Sequence, residues 1–293
     1  MKKMNRSKKN SSRKPQKKLY ILISTLCAIV CVTYFVLSGP KTRRFVPTRA
    51  IVATDTNPVY FDFWPIVAKA WKKRIGVTPT LALIADDDVQ VDETVGEVLR
   101  FKPIPGVPTS LYAQAIRLLL PACFEDEICI IGDIDMIPIS KSYYLDRVKD
   151  YPEDSFIVYR DRAYGPEVQW WTIPYIAAKG SAFKEIYGVR SINDIPAIIT
   201  SWARLGFGWH TDEIVMTHFL RKWKYFNAKC VLLESEKGSD RISQGARIDR
   251  ASWNYDVNKL LNEDYYVDCH SIRPYKQYKN EVDKLAALLG LND

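Results

Sequence analysis

The chain has 293 residues, of which 47% are hydrophobic and 26% are charged, and its formal net charge is +8. This length and composition suit one large domain or two small ones with a buried core, and they exclude a disordered chain or a multi-span membrane protein. The net charge is typical of a nucleic-acid-binding protein, but it is confined to one end. Residues 1–18 hold nine lysines and arginines and no acid, which leaves 33 basic against 34 acidic residues from Leu19 onward.

The segment that follows the basic tail, 19–38, reads LYILISTLCAIVCVTYFVLS and contains no charged residue. Twenty residues of α-helix span about 30 Å, the thickness of the hydrocarbon core of a bilayer. A cleaved signal peptide ending at Ser38-Gly39 is the alternative, but its apolar region usually covers only about 7–15 residues. We therefore predict an uncleaved signal anchor with the basic N-terminus in the cytosol. The tail then acts as a topology signal, and no nucleic-acid partner is expected.

This arrangement predicts a single-pass type II membrane protein with four parts. They are a cytosolic tail (1–18), a transmembrane anchor (19–38), a short stem (39–49) and one folded domain (50–293). The domain is expected in the lumen of a Golgi- or ER-like compartment, where disulfides form. Four cysteines fall within it, and the sequence does not choose among their three possible pairings or free thiols: Cys123, Cys129, Cys230 and Cys269.

Three apolar runs, 50–53, 80–85 and 128–132, are predicted to be buried strands. Between them, the segments 63–75 and 111–120 carry apolar residues at helical spacing. Continuous apolar strands that alternate with helices are typical of an α/β domain with a mainly parallel sheet.

Each predicted strand is followed by acidic residues. Thr54-Asp55 follows the first, Asp86–Asp88 the second, and Asp133 with Asp135 the third. In open sheets of this kind, ligands bind beyond the carboxyl ends of the strands. The acidic strand ends therefore predict the position of the site, although a solvated turn is the favoured interpretation of Asp86–Asp88.

The second half of the chain is less regular. Its predicted strands are 156–159, 175–178, 230–233 and 265–269, and its predicted helices are 181–187, 192–204, 212–222 and 281–289. No linker is evident within 50–293, so one domain is preferred to two.

Asp133 and Asp135 are two positions apart where the third apolar strand ends. In a regular strand such residues share a face, so both carboxylates can reach one ion. Mg²⁺ and Mn²⁺ take oxygen ligands, and a diphosphate would complete the coordination shell. A capping or solvated acidic turn is the simpler alternative, but the preceding apolar strand and the type II anchor favour a metal site.

The stretch IIGDIDMIPIS (130–140) resembles the Asp-x-Asp segment of nucleotide-sugar-dependent glycosyltransferases with the GT-A fold. The preceding LYAQAIRLLLPACF (111–124) is similar to the helix before that segment in the glycogenin and lipopolysaccharide-galactosyltransferase group. The resemblance covers roughly residues 50–275, and the order of tail, anchor, stem and domain is similar to that of Golgi glycosyltransferases. It implies a GT-A (Rossmann-like) domain with a mixed, mainly parallel sheet flanked by helices.

The resemblance also implies roles for individual positions. His270 lies before Arg273-Pro274-Tyr275, which is similar to the Lys-Pro-Trp-like segment after the family's metal-binding histidine. The implied metal ligands are Asp133, Asp135 and His270, with Mn²⁺ or Mg²⁺ as the cofactor. The implied donor-binding residues are Thr54, Asp55, Arg117, Trp209 and Arg273. A structural histidine and a surface helix arginine are the alternatives for His270 and Arg117.

The segment 209–213, WHTDE, resembles the family segment in which an Asp-Gln-like pair opens a helix beside the donor sugar. In an inverting transferase, Asp212 or Glu213 would act as general base, whereas in a retaining enzyme the pair would position the sugar. Glu213 stands where the group often has Gln, so both stereochemical outcomes stay open. Capping of the helix by Thr211 or Asp212 is the structural alternative.

The predicted function is therefore that of a membrane-anchored, metal-dependent glycosyltransferase. It would move a sugar from a nucleotide-diphosphate sugar to a hydroxyl on a glycan, glycoprotein or glycolipid. One alternative is a catalytically dead module that binds a nucleotide sugar or a glycan, although Asp133 and Asp135 are intact. The other is a metal-dependent phosphohydrolase or nucleotidyltransferase, which also uses paired aspartates on an α/β sheet.

Overall fold

A computed structural model describes residues 43–238, 240–262 and 264–292. The strands are β1 (Arg49–Asp55), β2 (Thr78–Ile84), β3 (Glu97–Phe101), β4 (Ile128–Ile131), β5 (Met136–Pro138), β6 (Phe156–Val158), β7 (Ile176–Lys179), β8 (Cys230–Leu232), β9 (Arg247–Asp249) and β10 (Asp268–His270). The α-helices are α1 (Trp64–Ala70), α2 (Thr109–Leu119), α3 (Gly180–Tyr187), α4 (Ile195–Ala203), α5 (Thr211–Lys222), α6 (Phe226–Lys229), α7 (Leu233–Lys237), α8 (Val257–Asn262) and α9 (Lys279–Leu288). Shorter 3-10 or π-helical turns are Phe61–Phe63, Trp71–Ile75, Leu120–Cys123, Ser142–Asp146, Ile192–Asp194, Gly208–His210 and Ile242–Gln244.

The central sheet has the strand order β3-β2-β1-β4-β7-β6-β8. The neighbours in β3-β2-β1-β4 are parallel, and β8 is parallel to β6. Strand β7 is antiparallel to both of its neighbours, β4 and β6. The other six strands therefore run in one direction and present their carboxyl ends at one edge. This confirms the predicted α/β class with a mixed, mainly parallel sheet.

The central strands are buried because both faces of the sheet are covered. Along β1, Ala50 and Val52 belong to a hydrophobic cluster that also contains Trp71. The alternate residue Ile51 belongs to the opposite cluster, with Ile116 of α2. A strand buried on both sides has no polar face, which is why its sequence is a continuous apolar run.

A second sheet has the strand order β5-β10-β9, with β10 antiparallel to β5 and parallel to β9. The sequence analysis placed a strand at 265–269, close to β10, but missed β3, β5 and β9. These three strands have only three to five residues each. Such short segments carry little periodic signal, and their pairing depends on residues distant in sequence.

The predicted tail, anchor and most of the stem lie outside the described residues. Of the helices within the described ranges, none has the length and apolar character needed to cross a bilayer. Residues Arg44–Asp293 form one compact unit. The four cysteines of this unit are free thiols rather than disulfides: Cys123, Cys129, Cys230 and Cys269.

Gly180 opens α3 against the turn that follows α2. A Cβ atom at this position would lie 2.2 Å from the carbonyl oxygen of Phe124 and 2.4 Å from that of Pro121. Because main-chain atoms cannot turn aside, we expect Gly180→Ala to lower the free energy of unfolding by about 3 kcal/mol. Urea denaturation of the full-length protein measures this change.

Gly188, after the end of α3, provides the matched control. Its φ is +69° and no atom lies within 4 Å of a Cβ built there. Gly188→Ala should therefore cost only the backbone strain of a left-handed residue, about 1 kcal/mol. Equal losses in the two variants would contradict the close approach at Gly180.

Candidate active site

A cavity of about 580 Å³ opens among residues at the carboxyl edge of the central sheet and from the second sheet. This volume falls within the range of small-molecule sites, about 300–1,000 Å³. All ten residues selected from the sequence line it: Thr54, Asp55, Arg117, Asp133, Asp135, Trp209, Asp212, Glu213, His270 and Arg273. The fold thus brings residues from distant parts of the chain to one place. Asp86–Asp88 are exposed and do not line the cavity, as the solvated-turn interpretation predicts.

At one end of the cavity, Asp55 closes strand β1. Its Oδ1 accepts the main-chain N–H of Asn57 at 3.0 Å, and its Oδ2 accepts the hydroxyl of Thr109 at 2.7 Å. The carboxylate therefore ties the end of β1 to the start of α2. Asn57 and Tyr60 line the same part of the cavity, although the sequence analysis did not select them.

The Asp133 and Asp135 carboxylates do not lie on a regular strand. Strand β4 ends at Ile131, and Asp135 lies in a turn before β5. The expectation that the two carboxylates share one strand face is therefore wrong. The turn places each carboxylate beside a different set of cations.

Arg117 of α2 holds the first of these carboxylates. Its Nη1 donates to Asp133 Oδ1 and, at 3.1 Å, to the carbonyl oxygen of Gly132. Its Nη2 lies 3.3 Å from Asp212 Oδ2 at the start of α5. Arg117 is only 7% exposed, which excludes the alternative of a surface helix arginine. One buried guanidinium thus joins the β4 edge to α5.

Asp135 is surrounded by a second set of cations. Its Oδ2 lies 3.0 Å from Nη1 of both Arg250 and Arg273, and 3.6 Å from Nε2 of His270. Burial raises the pKa of this carboxyl, but His270, Arg273 and Arg250 lower it by more, so the pKa lies below its usual value. Asp135 is therefore ionised at neutral pH. Arg250 was not selected from the sequence because no motif surrounds it.

The three residues predicted to bind a metal do not converge. Within the described part of the chain, no group of three or more His, Cys, Asp and Glu side chains is placed to hold a metal ion. Asp133 pairs with Arg117, whereas Asp135 lies beside His270 and two other arginines. Carboxylate and imidazole donors suit Mn²⁺ chemically, but guanidinium groups contact the carboxylates here. A divalent ion would have to replace these pairs.

Helix α5 starts at Thr211, and the capping position is occupied by His210 without a side-chain cap. The capping interpretation of Thr211 and Asp212 is therefore wrong. Asp212 is buried in the first turn, where its Oδ1 accepts the main-chain N–H of Glu213. Burial raises the pKa of Asp212, Arg117 lowers it and the Glu213 carboxylate raises it, with a result of about 6.

Glu213 is held by two loops. Its Oε1 accepts the hydroxyl of Tyr164 at 2.5 Å, and its Oε2 lies 3.0 Å from Nδ1 of His210. Next to it, Trp209 is 60% exposed, so it is not a core aromatic residue. The Trp209 carbonyl accepts a hydrogen bond from Gln114 of α2 at 3.3 Å. An exposed tryptophan therefore lines the same cavity as these two fixed carboxylates.

The sequence analysis missed several other polar residues of the cavity. They are Asn57, Tyr60, Arg160, Tyr164, Thr172, Arg247 and Arg250. Most of them lie in loops or beside three-residue strands, and only the folded chain brings them to the cavity. Their position after a strand could have indicated them, as for Arg160 after β6. A strand of three residues, however, is too short to predict a binding residue at its end.

No protein-family model and no curated protein matches the sequence. Among solved structures, the apo glycosyltransferase GlyE of Streptococcus pneumoniae TIGR4 is similar with a TM-score of 0.45 and 11% identity, over 84% of this chain and 62% of GlyE. The chain thus spans less than two thirds of GlyE. The galactosyltransferase LgtC, in complex with donor and acceptor sugar analogs, is similar with a TM-score of 0.44 and 10% identity, over 83% of this chain and 95% of LgtC. The apo structure of the bifunctional glycosyltransferase WbbM is similar with a TM-score of 0.42 and 10% identity, over 85% of this chain and 50% of WbbM.

Proposed function

We propose that the chain is a glycosyltransferase that moves a sugar from a nucleotide-diphosphate sugar to a hydroxyl on a glycan, glycoprotein or glycolipid. One observation carries this proposal: all ten residues selected as donor, metal and catalytic candidates surround a single cavity of about 580 Å³. The cavity lies beyond the carboxyl ends of a mainly parallel sheet, where open α/β sheets bind ligands.

The nucleoside would bind at the end of β1. Thr54 and Asp55 are buried there at the cavity wall, and Asn57 and Tyr60 add an amide and an aromatic ring. Thr109 and the Asn57 main chain already fix the Asp55 carboxylate, so its orientation is set before a ligand arrives. A fixed carboxylate at this position suits ribose hydroxyls as hydrogen-bond donors.

The diphosphate would bind beside Asp135. From Ala50 onward the sequence has 29 basic and 34 acidic residues, so the overall field opposes an anionic donor. Local cations must compensate, and Arg250 and Arg273 both lie at this wall of the cavity. Guanidinium groups match phosphate oxygens in geometry as well as in charge.

A divalent cofactor, Mn²⁺ or Mg²⁺, belongs to the same proposal. The predicted ligands Asp133, Asp135 and His270 line the cavity and offer oxygen and nitrogen donors, and they would hold the ion in place of the present arginine pairs. When bound, such an ion offsets the charge of the departing nucleoside diphosphate. Arg117, Arg250 and Arg273 pair with these carboxylates in the arrangement described above.

Asp212 is the candidate acceptor for the proton of the attacking hydroxyl. Its pKa of about 6 combines an ionised state at neutral pH with useful basicity. Arg117 fixes one of its oxygens, and the Glu213 main chain fixes the other. Glu213 itself is held by Tyr164 and His210 and would position the sugar.

We also propose that residues 19–38 anchor the chain in a membrane, with the domain on the luminal side. The uncharged twenty-residue segment and the nine basic residues before it support this topology. Protease added to sealed microsomes should remove only the N-terminal tail. Digestion of residues 50–293 without detergent would contradict the topology.

Metal dependence can be tested with the full-length protein and a panel of nucleotide sugars. We expect release of the nucleoside diphosphate with Mn²⁺ present and loss of this activity in EDTA. Asp133→Asn and Asp135→Asn should each lower the rate about 100-fold, because each removes a carboxylate ligand of the ion that offsets the charge of the leaving group. Asp87→Asn is the matched control, since Asp87 is exposed and pairs with Lys102. Activity that survives both EDTA and the two substitutions would rule out the metal role.

The products of the same assay separate the alternative functions. A glycosylated product detected by mass spectrometry excludes a catalytically dead binding module. Release of the intact nucleoside diphosphate excludes a phosphohydrolase or nucleotidyltransferase, which would release inorganic phosphate or form a nucleotidyl product.

The pH profile tests the role of Asp212. Below pH about 6 the carboxyl becomes protonated and cannot accept the hydroxyl proton, so kcat/KM should fall tenfold per pH unit. Above that value the profile should level off. Glu213→Gln should move this limb to lower pH, because the Glu213 charge contributes to the raised pKa of Asp212. An unchanged acidic limb in the residual activity of Asp212→Asn would show that another group is the base.

A further inference from the structure

Two arginines of the cavity have no part in the donor site described above. Arg160 follows β6 and Arg247 opens β9, and both line the cavity. Within the described residues, neither makes a hydrogen bond or an ion pair with any of the ten residues selected from the sequence. Their side chains are only 13% and 12% exposed, so the two charges are largely removed from solvent.

Arg160 is anchored from behind by a buried carboxylate. Its Nε lies 3.1 Å from Oδ2 of Asp240, which is fully buried. The other oxygen of Asp240 lies 3.1 Å from Arg147, and the Tyr143 hydroxyl donates to Oδ2 at 3.0 Å. Nearby Glu234 accepts main-chain N–H groups. Asp240 therefore has two guanidinium partners, Arg147 and Arg160. The Asp240 charge would still be paired with Arg147 if Arg160 were removed.

The terminal nitrogens of Arg160 are not used in this anchoring. No hydrogen bond joins Nη1 or Nη2 to another of the described residues, and Nε, although 3.1 Å from Asp240 Oδ2, is buried without a hydrogen bond of its own. The end of the guanidinium is therefore available on the cavity side. An anionic group in the cavity would satisfy both the charge and the N–H groups.

Arg247 is also held by a buried carboxylate. Its Nε and Nη2 donate to the two oxygens of the fully buried Asp268 at 2.6 and 2.7 Å, and Tyr175 also donates to that carboxylate. Its Nη1 has no acceptor among the described residues. A bidentate pair fixes the plane of the guanidinium, so the remaining N–H groups are presented in a set direction.

The topology places Arg160 away from the nucleoside end of the cavity. Strands β1, β4, β7 and β6 are successive neighbours, and β1, β4 and β6 run in the same direction. At about 4.8 Å per strand, the ends of β1 and β6 are about 14 Å apart. Asp133, after β4, lies between them. A donor that extends from β1 past Asp133 leaves the β6 end to the second substrate.

We propose that Arg160 and Arg247 form an acceptor subsite for an anionic group, so that the acceptor is a sugar carrying a carboxylate or a phosphate. This inference rests on the proposed glycosyltransferase function and names the acceptor class of the same cavity. Planar guanidinium groups bind either oxyanion in a bidentate manner. Tyr164 and Thr172 line the same cavity and add hydroxyl groups for the rest of the acceptor.

Direct binding to the full-length protein tests the subsite without requiring turnover. The probes are methyl glucuronide, glucose 6-phosphate and the uncharged methyl glucoside, with binding followed by ligand-observed NMR. We expect at least one anionic probe to bind about tenfold or more tightly than methyl glucoside, and the two anions distinguish carboxylate from phosphate. Nucleoside diphosphates should not displace the bound anion, because the two would occupy different ends of the cavity.

Two variants remove a guanidinium without leaving a buried carboxylate unpaired. Arg160→Gln leaves Asp240 paired with Arg147, and Arg247→Gln is combined with Asp268→Asn because Arg247 is the ion-pair partner of Asp268. Each should weaken binding of the anionic probe about tenfold and leave binding of methyl glucoside unchanged. Arg204→Gln, at an exposed position, is the matched control and should keep the preference. Thermal melting identifies either variant if it does not fold, and Arg160→Lys or Arg247→Lys then replaces it, with a smaller loss of binding expected because the charge is kept.

Three results would overturn the subsite: equal binding of charged and uncharged probes, an unchanged preference in the folded variants, or displacement of the anion by nucleoside diphosphates. The last result would assign the arginines to the donor. The donor-hydrolysis assay reports separately on the proposed function. A protein that hydrolyses nucleotide sugars but shows no anion preference fails only the present inference. A protein that binds the anion but does not turn over any donor fails the proposed function.

Discussion

The buried guanidinium of Arg117 connects the parts of this cavity. Removing a guanidinium from water is costly unless its charge and its N–H groups are all compensated. Asp133 and Asp212 supply the charge, and the carbonyl oxygens of Gly132 and Gln114 accept further hydrogen bonds. These partners come from α2, the end of β4 and the start of α5. The relative positions of these three elements, and hence the width of the cavity between them, depend on this set of pairs.

The other cationic side chains of the cavity follow a related rule. Arg250 and Arg273 share Asp135 at the cavity wall, whereas Arg160 and Arg247 are held by the buried carboxylates of Asp240 and Asp268. Each guanidinium is oriented by a carboxylate and keeps further N–H groups for a ligand. A domain with more acidic than basic residues can therefore concentrate fixed positive charge at one place, as the proposed anionic substrates require.

Much of the donor side of the site could be predicted from sequence. Thr54, Asp55 and Asp133 lie at the ends of strands that are buried on both faces, and such strands are visible as continuous apolar runs. Parallel strands place their carboxyl ends at one edge, so residues far apart in sequence are expected to meet there. Asp212 and Glu213 were identified differently, by the resemblance of the segment 209–213 to a family segment that opens a helix beside the donor sugar. Only the structure could decide whether Arg117 is a surface arginine and whether Thr211 or Asp212 caps the helix. Both questions depend on burial and hydrogen-bond partners, which the sequence does not show.

The sequence by itself determined the class of sheet, the order of its main strands and helices, and the acidic edge where a ligand would bind. These features depend on local periodicity, which a single sequence contains. Only the tertiary structure decided which cation faces each carboxylate. Asp133 and Asp135 are two residues apart, yet a turn sends them to Arg117 and to Arg250 with Arg273. Arg160 and Arg247 also reach the cavity only through tertiary contacts, because three-residue strands and loops carry almost no local pattern and ion pairs form between residues distant in sequence.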